Sequence, residues 1–253
     1  MRGAVLFVVI IALCGCERKL PAQWIEPTTQ MQFALLPAGE FVAGSPSTES
    51  GHQQDEVLFP VRIAQPLYMA RHEVTRRQWT AVMMPGASVD PAAADLPMVD
   101  ITWHEAREFL DRLNAGKVWR IRLPSETEWE YACRSGTTTA YSTGEHLSTS
   151  EANYNGEFPL PGQPLGENRK RVTPVGSFPA NAFGLFDMHG NVWEWTNDGY
   201  DETRKVIRGG SWRFDADSAR CALRYHHRPQ DRGDSLGFRV VRDLTQDEAA
   251  ALR

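Results

Sequence analysis

The sequence predicts one loop-rich domain in which short helices and short strands surround tryptophan anchors. Three observations carry this expectation. Twenty Gly, 16 Pro and 8 Trp among 253 residues force many turns around large rigid rings. Three Ser/Thr-x-x-Glu/Gln capping boxes announce three helices. The other apolar stretches are short runs bounded by turn residues, as strands are. At this length the chain can bury one sizeable core or two small ones. Lys and Arg number 27 against 32 Asp and Glu, a net charge of -5 with no basic block, so an electrostatic grip on nucleic acid is excluded.

In chain order, Met1-Arg2 supplies one side-chain positive charge and Ala4 to Leu13 is continuously apolar. Such a run spans about 15 Å as a helix, half of a ~30 Å hydrocarbon core, and reads as an export signal. Leu13-Cys14-Gly15-Cys16 follows and resembles the bacterial lipoprotein signal. Residues 1–15 are then a removed signal peptide, which takes Cys14 with it, and Cys16 is the lipidated first residue. An ordinary secretory signal or an uncleaved anchor is the alternative. Glu17, in place of the Asp that retains lipoproteins at the inner membrane, implies transfer to the outer membrane. Residues 16–30 are expected to be a tether.

Phe33 to Val42 reads as a strand with a turn at Pro37-Ala38-Gly39-Glu40, Ser45 to Glu56 as a loop, and Val61 to Ala64 as a strand. Thr75 with Gln78, Thr102 with Glu105 and Ser125 with Glu128 start the helices. Ala106, Phe109, Leu110 and Leu113 share a face of the second, which Gly116 ends; Trp129, Ala132 and Cys133 line the third, before Gly136. Met83 to Leu96 is a Pro/Ala loop. Beyond Tyr141 short strands and turns follow, with a last strand at Gly237 to Arg242 and a polar tail over residues 244–253.

Cys133 and Cys221 remain once Cys14 and Cys16 are assigned. An exported pair favours a disulfide, worth about 4–5 kcal/mol for so long a loop; two buried thiols are the alternative. No C-x-x-C pair or zinc spacing is present, and the adjacent His226 and His227 diverge in extended structure.

Six blocks stand in order along Met31 to Asp243: Tyr68 to Thr75, Arg122 to Tyr131, Asn181 to Met188, Gly190 to Trp195, Arg208 to Trp212, and Gly237-Phe238-Arg239. Together they resemble the sulfatase-modifying factor family, founded on the formylglycine-generating enzyme. The resemblance implies a single α+β domain over residues 31–243, related to C-type lectin folds and low in regular secondary structure. That enzyme oxidises a substrate cysteine with copper(I), held by two thiolates just after the Gly-Gly-Ser-aromatic motif. Soft thiolates suit copper(I). Here Arg213 to Arg220 contains no cysteine. By the same resemblance Cys133 and Cys221 are structural half-cystines, so no copper is expected. This chain also lacks the added helical domain and histidine triad of the family's iron-dependent sulfoxide synthases.

Ser211 matches a serine beside the reactive centre, and Asp215 and Asp217 occupy the altered interval. These three form a candidate pocket. With no paired base, Ser211 reads better as a turn or core serine; the two acids either receive a cationic ligand or solvate a loop. The resemblance further implies two structural calcium sites, calcium being a cation that takes six to eight oxygens. Asp187, Gly190, Val192 and Glu194 match the first. Asn153, Tyr154, Glu167 and Arg169 match the second, where Glu167 departs from the usual Asp. Trp79, Trp103, Trp129, Trp193, Trp195 and Trp212 are read as core, and Arg208, Arg220, Arg224, Arg228, Arg232 and Arg239 as partners of acids, with a local anionic-ligand or partner patch at Arg224 to Arg232 as the alternative.

Two function classes follow. One is an accessory or regulatory lipoprotein on the periplasmic side of the envelope. It binds an envelope protein or peptide, among them a kinase periplasmic domain upstream of type VI secretion. The other is an enzyme of altered chemistry, serving maturation of a siderophore chromophore or a periplasmic metalloenzyme.

Overall fold

A computed structural model describes residues 20–160 and 162–252. The expected signal peptide, Cys14 and the expected lipid-bearing Cys16 lie outside these residues. Among the described residues no helix is long and apolar enough to cross a membrane.

The chain enters as β1 (Gln23–Ile25), which pairs antiparallel with β2 (Gln32–Leu36). Gln23 to Ile25, expected in the tether, is therefore an edge strand of the fold. After Leu36 the chain leaves this sheet: β3 (Gly39–Ala43) pairs with β4 (Phe59–Ile63) in a separate two-stranded sheet. The expected single strand with a turn is thus two strands of different sheets. Tyr131 explains the divergence. Its hydroxyl donates to the Pro37 carbonyl at 3.1 Å, and a Cβ on Gly39 would stand 2.7 Å from that hydroxyl. Glycine lets the chain pass close to that hydroxyl.

β5 (Leu67–Ala70) returns beside β2. The three expected helices follow as α1 (Arg76–Met83), α2 (Trp103–Asn114) and α3 (Glu126–Arg134), each with both halves of its capping box formed. On α2, Ala106, Phe109, Leu110 and Leu113 are buried, and Phe109 stacks on Trp79 of α1 with ring centroids 5.4 Å apart. β6 (Ile121–Arg122) joins the first sheet; β7 (Trp193–Gly199), β8 (Lys205–Arg208) and β9 (Tyr225–His227) form the other large one.

The expected last strand is split. β10 (Leu236–Gly237) runs parallel to β7, whereas β11 (Val241–Arg242) lies between β5 and β6. Phe238, Arg239 and Val240 cross from one sheet to the other, each fully buried. The expected polar tail contains a fourth helix, α4 (Gln246–Ala250), capped by Thr245 and Glu248. No residue of α4 is buried, so the apolar stripe that betrayed the other helices is missing. The result is a single domain mixing helix and sheet, with long irregular stretches between β6 and β7.

Candidate functional site

Strand β7 organises the interior by alternation. Trp193 and Trp195 pack into the core that holds Trp79, Phe109 and Phe238, while Glu194 points to the opposite side, towards Trp129. There Arg239, coming from the crossing segment, donates from Nε and Nη2 to Glu194 at 2.7–2.9 Å, and the Trp129 indole donates at 2.6 Å. Arg239 is 0% and Glu194 1% exposed. An ion pair so deeply buried survives only with its hydrogen bonds complete.

Two further carboxylates meet this pair. Asp187 accepts from the Gly176 amide at 2.6 Å with one oxygen; its other oxygen, and one oxygen of Glu73, are buried without a partner among the described residues. Burial pushes the Asp187 carboxyl up to about 6, and pushes Glu73 well above the carboxylate range with help from the Asp187 charge. Asn191 holds the other Glu73 oxygen at 2.9 Å and also receives the side chain of Asn153. Asn153 and Gly190 form a bridge, and a Cβ on Gly190 would lie 2.4 Å from the Asn153 carbonyl. The loops of the two expected calcium groups therefore meet at one glycine.

At the first group two carboxylates offer a hard cation part of the oxygen set that it takes. Asp187 and Glu73 each present a spare buried oxygen, while both Glu194 oxygens are already shared with Arg239 and Trp129. Gly190 and Val192 lie in the same buried turn. In the second group the Asn153 side-chain oxygen is buried without a partner among the described residues, beside buried Tyr154. Glu167 is the poorer donor, because its side chain is 61% exposed and pairs with Arg169 at 2.8 Å. Glu73 was not singled out as a donor. It lies within a recognisable block, but no local spacing foretells its meeting with Asp187.

Cys133 at the end of α3 is bonded to Cys221, with Cα atoms 5.7 Å apart. Their neighbour His189 was also unforeseen: one ligand atom each of Cys133, His189 and Cys221 lies within 4.8 Å of the others. Yet the His189 nitrogens are both spoken for. Nδ1 lies 2.8 Å from the Ala219 carbonyl, and Nε2 accepts from the Ser142 amide at 3.0 Å. Burial accordingly holds His189 neutral, lowering it to about 4.

In the altered interval Ser211 is 1% exposed, and among the described residues its hydroxyl meets only the Arg213 amide, at 3.4 Å. Asp215 accepts from the amide and hydroxyl of Ser218, bracing the single turn Asp217–Ala219. Asp217 is raised by burial and by the Asp215 charge. No nucleophile and base are joined here among the described residues. Beside them, exposed Phe214 and Tyr225 cover Trp193, with ring centroids 5.5 and 5.6 Å away. The Trp193 indole N–H is buried without a partner among the described residues. The predicted arginine pairs are all present: Arg208 with Glu130, Arg220 with Glu49 and Glu56, Arg224 with Glu126, Arg228 with Asp231, Arg232 with Glu105, and Arg239 with Glu194.

Comparison with known proteins matches residues 21–244 to the Sulfatase-modifying factor enzyme 1-like domain. The chain belongs to the sulfatase-modifying factor family. It is 35% identical over 180 residues to the inactive C-alpha-formylglycine-generating enzyme 2 of Bos taurus, covering 66% of this chain and 57% of that protein. It is 34% identical over 176 residues to the serine/threonine-protein kinase pkn1 of Chlamydia caviae, covering 62% of this chain and 25% of the kinase. The domain thus spans little more than half of one relative and a quarter of the other. Among solved structures, PvdO from Pseudomonas aeruginosa superposes with a TM-score of 0.77 at 29% identity, over 89% of this chain and the whole of that one.

Proposed function

We propose that this modifying-factor domain is a non-catalytic accessory protein. It is anchored by lipid on Cys16 at the periplasmic side of the outer membrane, and binds an envelope protein through the face of Phe214 and Tyr225. The carrying observation is the altered interval itself. It contains no cysteine, its serine meets no base among the described residues, its acids brace a turn, and Phe214 faces solvent beside Tyr225. Exposed aromatic anchors suit binding rather than bond-breaking. Calcium, held by Asp187 with Glu73, Gly190 and Val192 beside Glu194, would neutralise buried acid and fix the loops; copper has no role here.

The partner proposed is the periplasmic domain of a kinase that acts in type VI secretion control. Support comes from the occurrence of a similar domain within the chlamydial kinase. The full chain is expected to capture that domain in a surface-binding assay, and the Phe214→Ala, Tyr225→Ala double variant to weaken capture by at least about tenfold. Oxygen consumption with a candidate peptide or siderophore precursor would overturn the reading. It would favour the second one, an enzyme of altered chemistry, which draws on the match along the whole of PvdO.

A further inference from the structure

We propose that the face formed by strand β1 and the loop from α2 to β6 lies against the bilayer. The inference rests on the lipid anchor at Cys16. Three residues separate Cys16 from Leu20, where the described chain begins. Four residue steps reach about 14 Å at most, so the entry point is held within that distance of the acylated cysteine. The entry point is also bolted to the domain. The Tyr68 hydroxyl donates to the Pro21 carbonyl at 2.8 Å, and Trp24 of β1 packs on Phe33 at 5.1 Å with Arg242 stacked 4.5 Å from its ring. The anchor therefore orients the domain as well as tethering it.

What surrounds the entry has the chemistry of an interfacial surface. Trp119 stands edge-on to Trp24 with centroids 5.3 Å apart, and Lys117 lies 5.5 Å from the Trp119 ring. Between them Val118 is 86% exposed, the most exposed large apolar side chain described. Arg120 is exposed on the same loop. Apolar tips, tryptophan and cations together match the boundary between acyl chains and anionic headgroups. With this face down, the lipid surface covers what water otherwise meets.

The test uses the full lipidated chain in vesicles of phosphatidylethanolamine and phosphatidylglycerol. A thiol-reactive fluorophore is placed on a Val118→Cys variant or, for comparison, on a Leu165→Cys variant at a side chain that is 77% exposed in another loop. Lipids carrying a nitroxide at headgroup depth are expected to quench the first probe at least about threefold more than the second. Lys117→Glu with Arg120→Glu is expected to reduce that difference. Equal quenching at the two positions overturns the inference, and leaves the Val118 loop as a surface for a protein partner. Lipid on Cys16 is read separately, by palmitate incorporation and by precursor accumulation under globomycin. Palmitate incorporation with equal quenching sinks the docked face alone. No incorporation and normal processing under globomycin sink the anchor reading and the inference with it.

Discussion

Arg239 closes on both carboxylate oxygens of Glu194 in the interior, where neither side chain reaches water. Glu194 comes from β7, an interior strand of its sheet, and Arg239 from the segment that crosses between β10 and β11. Removing the cation would strand Glu194 beside Asp187 and Glu73. Arg239→Met is expected to destabilise the domain by about 3–5 kcal/mol in urea unfolding. A change under 1 kcal/mol would show that water or a relocated cation compensates.

Calcium should bear on the same cluster. Addition of calcium to protein treated with EDTA is expected to raise the melting temperature of the wild type and to leave Asp187→Ala unmoved. Metal content measured by mass spectrometry should fall in that variant. Equal calcium content and equal melting temperatures would remove Asp187 as a ligand.

In EDTA, acidity should act through groups of opposite sign. His189 and His72 are both held down to about 4, mainly by burial. Their unfolded forms take up protons near 6.5, so the unfolded state binds more protons between about 4 and 6.5, and stability falls as pH drops through that window. Asp187, raised to about 6, does the reverse: the folded state holds the extra proton between about 4 and 6. Asp187→Asn is therefore expected to steepen the loss of stability on acidification, read by urea unfolding at pH 7 and pH 5. An unchanged difference would mean that Asp187 does not titrate there.

The Cys133–Cys221 bond spans 88 residues and pins the end of α3 to the interval after the 3-10 turn. Replacing both cysteines by alanine is expected to cost about 2–5 kcal/mol and to abolish the gel-mobility shift on reduction. Full stability in the double variant would mean that packing around His189 suffices.

Much of this architecture could be read from the chain, and the residues say why. Capping boxes are local, so Thr75, Thr102 and Ser125 marked their helices correctly. Thr245 and Glu248 carry the same signal, but α4 has no buried face to reinforce it. The split of Gly237 to Arg242 between two sheets depends on which distant strand lies alongside, which periodicity does not record. The candidate site follows the same division. Asp187, Gly190, Val192 and Glu194 cluster because they are near neighbours in sequence. Glu73 and His189 join through contacts with residues far along the chain, and nothing local distinguishes them.

The crossing at Phe238, Arg239 and Val240 also couples the two large sheets. β10 is an edge of one and β11 an interior strand of the other, and three fully buried residues carry the chain between them. Without this segment Glu194 keeps the Trp129 indole but loses its cation, and β5 and β6 are left unjoined. A single backbone stretch thus ties the charge balance of the interior to the closure of the five-stranded sheet.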